Sequence, residues 1–494
     1  TFGESNANTN NLNTLSNGQT NTIISSSQSV ISGRSNNVTT ASESSIFGLT
    51  NTATTTEYSL ISGKNNKLVD SKGSTLLGEQ NDSSGNSVNV LTSGYNNQVT
   101  GGNNNIAFGN TSILKTTDNS LSSGLQNTIT DGSNNTTFGN LNQSTSNNNT
   151  MLSGKSNSGS NNHNSFVSGK DNTETGGNNN TTLGELNTNT SSTNTLVSGL
   201  SNKNISTKRS LTVGLANELH DCSGSFALGD NNLLKNNQTV AVFGSNNDVS
   251  SNSINSIVVG KSNREKTGLR NATFGESNDL TTTNNNITAG NNNILINGSN
   301  NAVFGTNNSE TTSNNSLLSG QSNAITASNL IFTQGSSNVI SNTNNTLLSG
   351  TNNSEINGDT NNVFGKNQTV SSSISVMLSG FNNTISQNHY SNIHGQSHNV
   401  KDSSNVSVFG HTHKIDSNTS ILATGYLHDV SGNTKQSLIS GYNHKENDGQ
   451  NNATFGSSQT IKSTTNTITS GLSNNITTTT HSGIIGQNNT TTTV

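Results

Sequence analysis

The sequence predicts an all-β protein, a parallel β-solenoid of about 33 coils with a 15-residue period. Three observations carry that prediction. A glycine returns every fifteen residues from Gly3 to Gly486, an asparagine stands three residues after most of these glycines, and proline is absent. A fifteen-residue period fits no sustained heptad, and the Thr, Val and Ile around each glycine favour strands.

Composition narrows the alternatives. Of 494 residues, 25% are hydrophobic and 10% charged, with 48 glycines, one cysteine and no tryptophan. That apolar share is about half of what globular domains use, which excludes a string of conventional cores. Disordered chains usually carry proline and charge; this one has no proline and little charge. A balance of 21 basic and 26 acidic residues provides no polycationic surface, so no nucleic-acid partner is expected. The longest apolar run, Val240 to Phe243, is far too short to span a bilayer, so no membrane insertion is expected in this segment. Residue 1 already lies inside the repeat, so no signal peptide is read and a mature or trimmed product is expected. Cys222 has no partner for an intrachain disulfide and is expected in a loop.

The glycine series has 32 steps, 29 of fifteen residues and three of sixteen (78 to 94, 244 to 260 and 425 to 441). No linker interrupts it, so residues 1–494 are expected to form a single continuous repeat domain. Good copies are NTLVSGLSNKNISTK from Asn194 and NSLLSGQSNAITASN from Asn315. Each reads as one coil: two short strands, a tight turn near the glycine and a polar outer loop. Gly33, Gly63, Gly124, Gly199, Gly320 and Gly350 stand where the backbone needs positive φ or close approach to the next coil. Proline is missing because each coil must donate N–H groups to its neighbour.

The residues flanking the glycine follow a volume rule. Ten of 14 phenylalanines immediately precede a repeat glycine: Phe2, Phe47, Phe108, Phe138, Phe243, Phe274, Phe304, Phe364, Phe409 and Phe455. Phe166, Phe226 and Phe332 stand three before it. Where Ser precedes glycine, the residue three before is large and apolar, as in Leu60, Met151 and Leu317; where Phe does, it is usually small or polar, as in Ser45, Ala272 and Asn362. Residues two apart on a strand share a face, so both offsets are expected to fill one close-packed interior. The third residue after glycine is Asn in 26 of 33 coils. Examples are Asn36, Asn66, Asn127, Asn202, Asn323 and Asn353, which follow Ser35, Asn65, Gln126, Ser201, Ser322 and Asn352. Stacked ~4.8 Å apart, these amides can form a ladder that buttresses the turn.

Stretches such as NSIVVGKSN from Asn255 and GSFALGDNN from Gly224 resemble the head-domain repeats of YadA-type trimeric autotransporter adhesins, and the resemblance runs the length of the chain. It implies a left-handed β-roll whose three chains share a central apolar face. Three or four apolar residues per coil suit a flat two-stranded roll packed against partner chains better than a closed three-sided coil, while a monomeric solenoid with Thr, Ser and Asn ladders inside stays open.

Candidate chemistry is sparse. Gly154-Lys155-Ser156 and Gly260-Lys261-Ser262 look like the end of a phosphate-binding loop, but the glycine needed five residues earlier is Asn149 or Asn255, so a P-loop is rejected. Four successive coils replace the ladder Asn with His398, His413, His428 and His444, with His394 and His411 nearby. Three readings are open: neutral imidazole standing in for Asn, a divalent-metal site, or a switch on protonation near pH 6. The 26 carboxylates are read as scattered over loops, and no Ser, His and Asp set recurs with catalytic logic. No enzyme activity and no cofactor are expected. The reading is a structural, extracellular or cell-surface fibre or adhesin segment. Its expected partners are further copies of itself, as a trimer and end to end as a filament, with host or environmental surfaces or glycans. An ice-binding or ice-nucleating solenoid, or a viral or phage fibre with glycan-binding loops, is the alternative.

Overall fold

The computed structural model describes residues 1–493, and its regular structure is strand, with no helix among the described residues. Two compact units, Thr1–Asn246 and the stretch from Asn247 onward, are each a parallel β-solenoid. In the first, Leu60–Lys64 pairs in parallel with Thr75–Glu79, placing Gly63 opposite Gly78. In the second, Leu317–Gln321 pairs with the strand Asn329–Ser336, placing Gly320 opposite Gly335. One coil is thus a fifteen-residue step in register. The periodic glycine is demanded by close approach: Gly63 has φ +133°, and a Cβ there would lie 1.8 Å from the Gly78 carbonyl oxygen.

A regular coil turns three corners, two, seven and ten residues after the glycine, each made by one residue in the left-handed region. In one coil these are Ser35, Thr40 and Glu43, with φ of 58°, 56° and 50°. A left-handed residue costs roughly 1–2 kcal/mol unless it is Gly or, in part, Asn, and three such corners per coil draw Asn into the composition. The extra residue of the long coils is absorbed at the second corner, which becomes two left-handed residues: Gly85 and Asn86 in the first unit, Ser251 with Asn252 and Gly432 with Asn433 in the second. The glycine register survives, with Gly78 opposite Gly94 and Gly425 opposite Gly441.

Five side chains per coil point inward. In the Gly63 coil they are Ile61, Asn66, Leu68, Ser71 and Ser74, and in the Gly320 coil Leu318, Asn323, Ile325, Ser328 and Ile331. The columns two before and five after the glycine are mainly apolar. The column three after it is the Asn ladder, and the remaining two hold mostly Ser, Thr and Asn. This corrects the flat two-stranded reading: the coil closes on three corners, and the small apolar supply suffices because three of five inward columns are polar.

The expected interior of Phe and large apolar residues is also corrected. Phe47, Phe108, Phe138, Phe274, Phe304, Phe364, Phe409 and Phe455 are 36–39% exposed, and Phe243 is half-buried. They do share a face with the residues three before the glycine, but it is the outer one. The inward position lies between them, held by Ile46, Ala107, Val242 and Val303 in their coils. Cys222 is not in a loop: it occupies an inward column, 1% exposed, and burial pushes its thiol up to about 11.

Candidate functional site

The outer face beside the glycine is the most distinctive surface. Two rows, one and three residues before each glycine, stack coil over coil: Met151, Phe166 and Thr181 in one unit, Ala302, Leu317 and Phe332 in the other. Neither row contains Asp, Glu, Lys or Arg in any coil. Charge begins at the row after the glycine, where residues one coil apart pair: Lys64 with Glu79 at 3.1 Å, Lys170 with Glu185 at 2.6 Å and Lys261 with Glu276 at 3.3 Å. An apolar strip with an ion-paired rim results. In the second unit His394 stacks on Phe409 within the strip at 5.3 Å, and beside it, in the row after the glycine, His411 stacks on Tyr426 at 4.8 Å and Tyr426 on Tyr442 at 5.4 Å.

The Asn column forms a ladder. The Asn36 N–H and Nδ2 both donate to Asn21 Oδ1 at 3.0 Å, while Nδ2 also donates to the Gly48 carbonyl at 3.0 Å, so one side chain ties three coils together. The same pattern recurs at Asn66, Asn202 and Asn323. Asn127 and Asn353 likewise donate to the next coil's glycine carbonyl. Ser35, Asn65, Gln126, Ser201, Ser322 and Asn352 are the left-handed corners just before. A second, exposed amide ladder runs along the third corner, from Asn149 through Asn164 and Asn179 to Asn194, with steps of 3.0–3.1 Å. Sequence reading missed it, although Asn recurs ten residues after these glycines.

The four ladder histidines take over the amide role atom for atom. The His413 backbone N–H donates to His398 Nδ1 at 3.2 Å, and His413 Nε2 donates to the Phe409 carbonyl at 3.2 Å. The His428 and His444 N–H groups donate to the preceding Nδ1 in the same way. The rings stack at 4.9, 4.5 and 5.0 Å. With Nδ1 accepting and Nε2 donating, neither nitrogen offers a lone pair to a cation, and no metal-holding cluster occurs among the described residues. Burial holds the imidazoles neutral, lowering His398 and His428 to about 4 and His413 to about 3. The folded ladder therefore does not protonate near pH 6. His394 and His411, taken from sequence to thicken this cluster, lie on the opposite, outer side of the strand.

The carboxylates are not all in loops. Glu174, Glu265, Glu310, Glu355 and Glu446 occupy the inward column five after the glycine, each no more than 1% exposed. Four of them open the motif E-x-x-G-x-x-N: Glu174-Gly177-Asn180, Glu265-Gly268-Asn271, Glu355-Gly358-Asn361 and Glu446-Gly449-Asn452. That spacing was the available sequence signal. The glycine makes room, since a Cβ on Gly177, Gly268, Gly358 or Gly449 would lie 2.0–2.5 Å from the glutamate Oε1. The asparagine Nδ2 donates to that oxygen at 2.6, 3.3, 2.7 and 2.8 Å in turn.

No protein-family profile matches the chain and no curated protein is similar to it. The likeness to YadA-type repeats rests on the repeat residues alone.

Proposed function

We propose that the chain is a structural, non-enzymatic fibre or adhesin segment, extracellular or at the cell surface, that assembles through its apolar strip with parallel copies of itself in axial register, as a trimer. The observation that carries this reading is the volume rule on an outward face. Side chains facing water have no volume to conserve, yet a Phe before glycine is matched by Ser45, Thr136, Ala241, Ala272, Ala302, Asn362, Ser407 or Ala453 two residues earlier, with Ile106 the exception. Such compensation has a purpose when each layer is enclosed by the same layer of other copies. A phenylalanine 37% exposed keeps roughly 70 Å² in water, so covering it yields about 2 kcal/mol per coil. About ten coils then supply the ~800 Å² per partner of a standard interface. Polar corners and paired charges remain outside, available to surfaces, glycans or end-to-end neighbours.

Sedimentation velocity and small-angle scattering on the full chain test this. The wild type is expected as a trimer, and F304K/F364K/F409K as a monomer with unchanged β-sheet circular dichroism. A wild type that stays monomeric at all concentrations, or a variant that still trimerises, refutes it. One observation favours an ice-contacting role as a second reading: outward pairs Thr128 and Thr130, Thr173 and Thr175, and Thr188 and Thr190 lie on in-register parallel strands in one unit. Thermal hysteresis lost in T173K/T188K would support that reading, and no hysteresis in the wild type would remove it.

A further inference from the structure

The motif glutamates are spaced at 174, 265, 355 and 446, one in every sixth coil. Three of their carboxyls, those of Glu265, Glu355 and Glu446, are asymmetric. Oε1 of Glu265 accepts from Ser256 at 2.7 Å and from Asn271, and Oε1 of Glu355 accepts from Thr346 at 3.0 Å and from Asn361. In both, the second oxygen is buried without a partner. Glu174 has both oxygens engaged, by Asn180, Thr182 and Asn189. An ionised carboxylate with one bare buried oxygen is heavily penalised, whereas a carboxylic acid places its hydroxyl there. The paired glycine shows that the coil is shaped for this side chain.

We propose that the E-x-x-G-x-x-N coils of Glu265, Glu355 and Glu446 are acid-locked latches, in which the solenoid interior closes around the neutral carboxylic acid and loss of that proton opens the coil locally. Burial acts in the same sense: it raises Glu174 and Glu265 against their hydrogen bonds and raises Glu355 to about 7. Around Glu174 the inward residues of its own and adjacent coils are uncharged, including Gly159, Asn189 and Thr182. Around Glu265 they include Val249, Leu280 and Thr273, also uncharged. Around Glu355 they include Ile340, Val370 and Val363, and the one nearby charge is Asp359, which raises it further. Glu446 differs in having His444 two residues earlier, just ahead of its strand, and His428 in the coil before.

With the folded value above the unfolded one, the stabilisation is complete below about pH 4.5 and is lost as pH rises through the folded value. For Glu355 the local opening constant therefore rises roughly 70-fold between pH 5 and pH 8. Hydrogen exchange on the full chain reads this directly. After correction for intrinsic rates, peptides over 353–361 are expected to lose protection by that order from pH 5 to 8 and those over 263–271 to lose it in the same direction, while 112–117, with no buried glutamate in its own or adjacent coils, does not. E265Q/E355Q, which keeps a neutral side chain, is expected to hold protection at both pH values. Equal loss in wild type and variant, or none in wild type, overturns the proposal. If the variant fails to fold, infrared titration of the wild type decides: a protonated-carboxyl band surviving at pH 6.5 and fading above pH 8 supports the latch, and its absence at pH 6.5 overturns it.

Discussion

Replacing the four ladder histidines by the residue that holds this column elsewhere, H398N/H413N/H428N/H444N, is expected to remove an acid sensitivity localised to their coils. The wild-type imidazoles are buried and neutral, with His398, His413 and His428 held at about 4, 3 and 4. An unfolded histidine titrates near 6.5. As pH falls below that value the opened chain takes up protons that the folded chain refuses. Stability is therefore full above about pH 6.5, declines on acidification, and levels off near the folded values. At pH 5 the linkage amounts to at most about 2 kcal/mol per histidine, a roughly 30-fold rise in opening when one coil opens alone. Over the three it reaches roughly 6 kcal/mol if they open together, and His444 is shifted in the same direction by burial. Glu446, raised by burial, opposes this, since its contribution grows as pH falls. Hydrogen exchange over 395–447 at pH 7 and pH 5 is the assay. Wild type should lose protection and the Asn variant should not, because the amide restores both hydrogen bonds without a titrating group. Parallel loss in the two proteins, or wild-type protection unchanged at pH 5, would refute the reasoning.

Gly320→Ala should destabilise its coil by more than about 3 kcal/mol, since φ is +123° and the new Cβ would meet the Gly335 carbonyl oxygen at 1.8 Å; denaturant unfolding of the surrounding coils checks it. Asn202→Ala removes donors to Asn187 Oδ1 and the Gly214 carbonyl and should cost about 2–4 kcal/mol, read as faster exchange in the coils above and below. Thr333→Val should stabilise by about 1 kcal/mol, because the Thr333 hydroxyl is buried without a partner between Leu318 and Leu348 of the adjacent coils; a higher denaturant midpoint is the expected result.

Much of the fold was legible in the residues because a solenoid repeats its physics every coil. The glycine column, the absence of proline and the Asn and His ladder positions each answer to a contact between a residue and its copy one coil away. Periodicity alone therefore exposes them. The volume rule at Phe304 and Leu317 was equally visible, but its face was not. Strand alternation sorts residues into two sets and leaves open which set lies inside. That choice was made by closure of the coil through three left-handed corners, which turns Val303 and Leu318 inward and leaves Phe304 exposed and Leu317 half-buried on the outer face. The buried glutamates were hidden for the same reason. A carboxylate reads as a surface group until the backbone turns its column inward, and only the packed coil shows Gly268 or Gly358 yielding space to it. Composition and period thus determined a β-solenoid with its rungs in register. Closure in three dimensions decided what the interior contains and which apolar face is left on the outside.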